Sequence, residues 1–148
     1  MAPVKAAVPA VEGWFTTDGP DGEAHLLGDR CESCGTYVFP PTVAFCPNPG
    51  CEGAAFERVP LSRRGRVWSY TVNRYQPPPP YVPSDPFLPY GIAAVELEDE
   101  KLVVLGQVAG DAGEGSDPLT IGTEVELVID TLFEDDSSRY LVWKWRRA

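Results

Sequence analysis

The chain has 148 residues, 43% of them apolar, with sixteen prolines, fourteen glycines and a formal net charge of −10. That length holds one ordinary domain or two small ones, and no run approaches the ~20 apolar residues of a membrane-spanning helix. Twenty-two acids against twelve lysines and arginines disfavour nonspecific nucleic-acid binding, because phosphates demand a basic surface.

Residues 1–12 are rich in Ala, Val and Pro, without helix caps or periodicity, and read as a flexible extended arm. The stretch MAPVKAAVPAVEGW lacks the apolar region of a secretory signal, and Pro3 and Pro9 interrupt it, so a cytoplasmic location is expected. Trp14 and Phe15 follow, then the turn-rich DGPDG at 18–22, and Leu26-Leu27 leads into the four cysteines of the chain. Cys31 and Cys34 lie in CESCG, and Cys46 and Cys51 in CPNPGC. Two close pairs about a dozen residues apart can give four thiolates to one tetrahedral metal, Zn²⁺ first and iron second. Gly35 suits a knuckle in which backbone N–H groups turn toward sulfur, whereas Pro47 and Pro49 stiffen a wider loop in the second pair. The alternative is two structural disulfides, as in small secreted domains, which the N-terminus does not support. A short strand at Tyr37-Val38-Phe39 precedes Pro40-Pro41, and Phe56 closes a ribbon assigned to residues 13–60. So small a module has little core, and metal ligation must supply much of its folding free energy.

From Arg63-Arg64-Gly65 the pattern changes to period two, and residues 61–148 read as a second domain. Arg66–Tyr75 predicts a strand with Trp68, Tyr70 and Val72 on one face. Gly91–Leu97 predicts another, aligning Ala93, Val95 and Leu97, and the polar turn LEDEK at 97–101 returns Leu102–Val108 as its hairpin partner. AGDAGEGSDP at 109–118 reads as a flexible loop. Glu124–Asp130 places Val125, Leu127 and Ile129 inward, and Tyr140–Arg146 places Leu141, Trp143 and Trp145 on one face. Five strands without a helix of more than a turn or two describe a mainly β fold with a small closed or partly open barrel.

The segment QPPPPYVPSDPFLPYG at 76–91 holds seven prolines and reads as an extended loop, since proline cannot donate to a sheet ladder. Its Tyr81, Phe87, Leu88 and Tyr90 either fold back over an open barrel end or form a docking surface for a partner protein. Charge is uneven: residues 59–84 carry Arg63, Arg64, Arg66 and Arg74 and no acid, whereas residues 96–136 carry thirteen acids and only Lys101. Catalytic constellations are scarce. His25 is the single histidine and lacks an evident nucleophilic partner; an ordinary structural role is expected. The runs at Glu96–Glu100 and Glu134–Asp136 fall in turns, where solvated charge is the default, and no dinucleotide or Walker motif is present. Cysteines saturated by a metal leave no reactive thiol and no open coordination position, so the chain reads as a binding or scaffolding subunit.

The order WF, LLGDRCESCG, YVFPP, CPNPGC, GRVWSYT, PYGIAAV and LTIG resembles the DUF35 family over roughly residues 13–146. The resemblance implies a rubredoxin-like zinc ribbon followed by a five-stranded OB-fold barrel. It also implies a non-catalytic partner of thiolase-superfamily proteins in a heterotetramer or larger hetero-oligomer, closest to the forms paired with actinobacterial steroid side-chain aldolases. On that reading the partner cleaves an acyl-CoA at a shared site by retro-aldol chemistry or thiolysis. Arg63, Arg64, Arg66 and Arg74 are then candidates for the 3′-phospho-ADP of CoA, although arginines flanking a strand also balance an acidic chain. Tyr81, Phe87, Leu88 and Tyr90 are the candidates for partner contact. Two other readings stand beside it. One is a single-stranded nucleic-acid binder stacking bases on Trp68, Tyr70, Trp143 and Trp145. The other is an enzyme acting alone.

Overall fold

The computed structural model describes residues 5–41, 43–83, 85–110 and 119–148. Among them every regular element is a strand: β1 (Ala6–Pro9), β2 (Phe15–Thr16), β3 (His25–Cys31), β4 (Tyr37–Val38), β5 (Phe56–Pro60), β6 (Arg64–Asn73), β7 (Tyr90–Leu97), β8 (Val103–Val108), β9 (Glu124–Glu134) and β10 (Ser138–Arg147). Among the described residues no helix is long and apolar enough to cross a membrane. Most of the loop expected at 109–118 lies outside the described residues.

Strands β6 to β10 close on themselves. β6 pairs with β7, β7 with β8, β8 with β10 in parallel, β10 with β9, and β9 with β6. This is the closed five-stranded barrel expected from the alternating segments, and its strand order is that of the OB fold. Alternation accounts for the filling of the interior. Ala93, Val95, Leu97, Val125, Leu127 and Trp145 are fully buried, and Ile129, Leu141 and Trp143 pack against them. The LEDEK turn closes by hydrogen bonds from Leu97 N–H to Leu102 O and from Lys101 N–H to Leu97 O.

One strand departs from simple alternation. The register of β6 against β7 shifts between Val67 and Ser69, so Trp68 is the extra residue of a β-bulge. Val67 takes the interior position at 2% exposure and Trp68 is turned out at 61%. Strict period two across Trp68, Tyr70 and Val72 therefore fails at its first member, because a bulge sets two residues opposite one. Gly65, next to this point, has no room for a side chain. A Cβ there would press on the Glu96 carbonyl oxygen and lie 2.6 Å from Val95 Cγ1. Gly65→Ala is expected to destabilise the protein by about 1–3 kcal/mol in urea unfolding, since neither neighbour can yield without moving the β6–β7 register.

The ribbon is built on β3, which pairs with β2, β4 and β5. Phe56 faces Cys31 across the β3–β5 ladder, so it closes the ribbon as expected. Ribbon and barrel share one core: Phe15, Leu26 and Leu61 belong to the same buried cluster as Val95 and Trp145. Trp143 stands at the junction, with Trp14, Phe15 and Phe39 around its indole at centroid distances of 6.1, 6.2 and 5.7 Å. Within the segment expected as an arm, Ala6–Pro9 forms β1, which pairs in parallel with the first half of β10.

Candidate metal centre and its surroundings

The two cysteine loops converge. All four Sγ atoms lie within 4.8 Å of one another, with Cys31 to Cys51 at 3.8 Å and Cys34 to Cys46 at 3.5 Å. A tetrahedral site with metal–sulfur bonds near 2.3 Å places its sulfurs about 3.8 Å apart, so the donor set fits one ion. The four thiols are free, which leaves the disulfide alternative without support. Cys31 and Cys46 are buried, while Cys34 is exposed.

The local backbone explains why these loops favour thiolates. Gly35 adopts a φ of +79°, which turns the chain back beneath the first pair. Amides of Cys34 and Ser33 donate to the Cys31 sulfur and lower its pKa. The Thr36 hydroxyl, 3.1 Å from Cys34 Sγ, and the Thr36 amide pull Cys34 down to about 6. In the second loop the Asn48 amide favours the Cys46 thiolate, but burial and the sulfurs of Cys34, Cys31 and Cys51 outweigh it and push Cys46 up to about 12. The Gly53 amide reaches Cys51 Sγ at 3.3 Å, and there too burial and neighbouring sulfurs win and raise the pKa. Thiolates crowded this closely repel one another, and a bound cation is what allows all four to ionise.

The four arginines of the basic segment are not gathered into one cluster. Arg63 is half-buried and donates to Ala24 O at 2.9 Å and Leu127 O at 3.1 Å, tying ribbon to barrel. Arg64 lies 3.9 Å from Glu126, and Arg66 pairs with Glu124 at 2.9 Å. Arg64 and Arg66 line a small cavity with Lys101, but Glu96, Glu98 and Glu124 line it as well. Arg74 follows the far end of β6 and is exposed.

The aromatic residues of the Pro-rich loop do come together. Tyr81 stacks on Tyr90 at 5.8 Å, Phe87 meets Tyr90 edge-on at 6.3 Å, and Asn73 Nδ2 donates to the Tyr90 hydroxyl at 2.9 Å. Leu88 beside them is 57% exposed. The four aromatics considered as base-stacking platforms are dispersed instead. Trp145 is fully buried, Tyr70 and Trp143 pack against the core, and Trp68 alone stands exposed. His25 has a structural setting: its Nδ1 lies 2.7 Å from Leu61 O and its Nε2 2.9 Å from the Asp21 carboxylate. Asp29, a buried acid not singled out from the sequence, is satisfied by Arg58 Nε at 2.8 Å. Nothing local in the sequence marks that pair, which lies 29 residues apart.

Comparison with known proteins agrees with this architecture. Residues 22–57 match the family model described as the ChsH2 rubredoxin-like zinc ribbon domain, and residues 58–130 match that of the ChsH2 C-terminal OB-fold domain. The chain is 32% identical over 136 residues to benzoylsuccinyl-CoA thiolase subunit BbsA of Thauera aromatica, covering 86% of this chain and 80% of the relative. It is also 32% identical over 122 residues to a DUF35 domain-containing scaffold protein of Methanocaldococcus jannaschii, covering 82% and 79% of the two chains. Among solved structures it is similar to the Ltp2-ChsH2(DUF35) aldolase, with a TM-score of 0.63, 26% identity and coverage of 95% of this chain and 98% of that one. A four-cysteine ribbon joined through a shared core to a closed OB barrel, together with these relatives, makes the chain a member of the DUF35 family.

Proposed function

We propose that the protein is a non-catalytic accessory subunit that docks on a thiolase-fold partner and helps shape its acyl-CoA site. The single observation that carries this reading is the similarity, over most of both chains, to a protein named as a subunit of a CoA-thioester thiolase and to the DUF35 chain of an aldolase. The site chemistry supports it. The four cysteines form a closed donor set, and His25 is held between Leu61 O and Asp21. Zinc is the ion proposed for the four cysteines, since a tetrathiolate without an open position suits a d¹⁰ structural ion; iron is the second choice. Bound there, the ion would neutralise the thiolates and pin the two loops together. Residues 13–60 and 61–148 act as the ribbon and barrel domains, and the complex works in the cytoplasm.

The reaction proposed for the partner is retro-aldol C–C cleavage of a steroid side-chain acyl-CoA, with thiolysis as the second choice. Its support is the match of both domains to the ChsH2 models and the likeness to an aldolase. Contact with the 3′-phospho-ADP of CoA is assigned to Arg64, Arg66 and Arg74, whose side chains reach solvent, rather than to Arg63, which is committed to two backbone carbonyls. In the reconstituted complex, replacing Arg64, Arg66 and Arg74 with Gln should raise the acyl-CoA KM about tenfold with kcat little changed. An unchanged KM removes these residues from the CoA site. The subunit role itself is tested by co-expression with each thiolase-superfamily protein of the source genome: one of them should co-purify with the tagged chain, and retention of none would contradict it.

A further inference from the structure

We propose that the outer face of the β6–β7–β8 sheet, centred on Trp68, is the surface that receives the thiolase-fold partner; this rests on the accessory-subunit reading above. Residues directly opposite in an antiparallel ladder point to the same side, so the register defines the face. Ser69, Ala94 and Leu105 form one row across the three strands, and Thr71, Ile92 and Gln107 form the next. The bulge delivers Trp68 onto this face at 61% exposure, while Leu105 is 64% and Val103 45% exposed. Ala94 is buried at 7% yet does not belong to the barrel core, as expected for a small residue beneath larger outward neighbours. The turn after Leu119 runs alongside, with hydrogen bonds from Gly122 N–H to Val67 O and from Val67 N–H to Thr123 O, and it presents Ile121 at 79% exposure.

Charge identifies the occupant. The chain carries twenty-two acids, yet no carboxylate lies on these two rows. The face is bounded at one end by the Arg66 and Glu96 row, and exposed Arg74 follows the strand at the other. A second copy of a chain with net charge −10 is repelled, and a nucleic acid is repelled more strongly. The surface therefore fits a different, less acidic protein presenting an apolar pocket for an indole. Tryptophan is among the residues that most often dominate such interfaces. A stable interface needs about 800 Å² from each partner. The face can extend toward that size, because Tyr90 stands one row beyond Ile92 and carries the Tyr81 and Phe87 packing with it.

The test measures the affinity of the tagged full-length chain for the thiolase-superfamily protein with which it co-purifies. Trp68→Asp and Leu105→Asp, each checked for unchanged metal content and thermal midpoint, should weaken binding at least 100-fold. Phe45→Ser, at an exposed position on the ribbon, should leave it within twofold. Wild-type affinity in both outer-face variants would overturn the inference while leaving the subunit role intact. Loss confined to Phe45→Ser, or a dimer of this chain that Trp68→Asp dissolves, would overturn it as well. If the wild-type chain retains no thiolase-superfamily protein, the subunit role and the inference fall together.

Discussion

Removing the metal from the four-cysteine site is expected to release residues 31–56 while the barrel strands stay paired. Two loops carry all four ligands, and among the described residues of 39–55 there is no strand to hold them. Without the ion, burial and neighbouring sulfurs keep Cys46 and Cys51 protonated, so the second loop loses its hold on the first. Structural tetrathiolate sites contribute on the order of 10 kcal/mol at neutral pH, more than a ribbon of this size can replace by burial. The barrel has its own core in Val95, Leu97, Val125, Leu127 and Trp145, which does not depend on the cysteines. The two units are not independent, however, since Phe15 and Leu26 of the ribbon complete that core. Hydrogen exchange after chelation should show protection lost from Cys31 to Phe56, retained across β6 to β10, and reduced at Trp143, where ribbon aromatics pack. Protons compete with the metal for thiolate, so the chelator concentration needed should fall as pH falls. Retained protection in the loops would mean that the metal is dispensable for the fold.

Trp145→Ala is expected to destabilise the barrel by about 3–5 kcal/mol, lowering the thermal midpoint by roughly 10 °C. Trp145 is the largest fully buried side chain, and Gly106 opposite has been reduced to hydrogen to admit it: a Cβ there would lie 2.8 Å from Trp145 Nε1. The loss has an instructive counterpart. Trp145 Nε1 has no hydrogen-bond partner in the interior, so its removal forfeits packing but no polar contact. Trp145→Phe should cost clearly less than Trp145→Ala, because both delete the same unpaired donor while Phe keeps much of the buried ring volume. Equal losses in the two variants by urea unfolding would show that a phenyl ring does not fill the space the indole leaves.

Much of this architecture is legible in the residues, and the exceptions have physical causes. Alternation in Gly91–Leu97, Glu124–Asp130 and Tyr140–Arg146 reports burial directly, and the barrel follows from it. The cysteine spacing reports the donor set because a tetrahedral ion constrains which loops can reach it. Trp68 misleads because a bulge inserts one residue without any local signature, and the period-two pattern then continues in the opposite phase. The Asp29–Arg58 pair and the Arg63 clasp are long-range contacts that no window of sequence contains. Pairing of β1 with β10 is hidden for the same reason: four residues of AAVP carry too little pattern to name a partner 132 positions away. The arginines of the basic segment are neighbours in sequence, but which acceptors each meets is not legible there. Arg64 and Arg66 share one face of β6 and line the same cavity, whereas Arg63 turns to the backbone carbonyls of Ala24 and Leu127.

The most direct test of the accessory-subunit reading is acyl-CoA cleavage measured with the chain alone, the thiolase-fold partner alone, and the two combined. Turnover confined to the combined sample, and lost again with Trp68→Asp, is the predicted result. Turnover by the chain alone, or full turnover by the partner without it, would contradict the account.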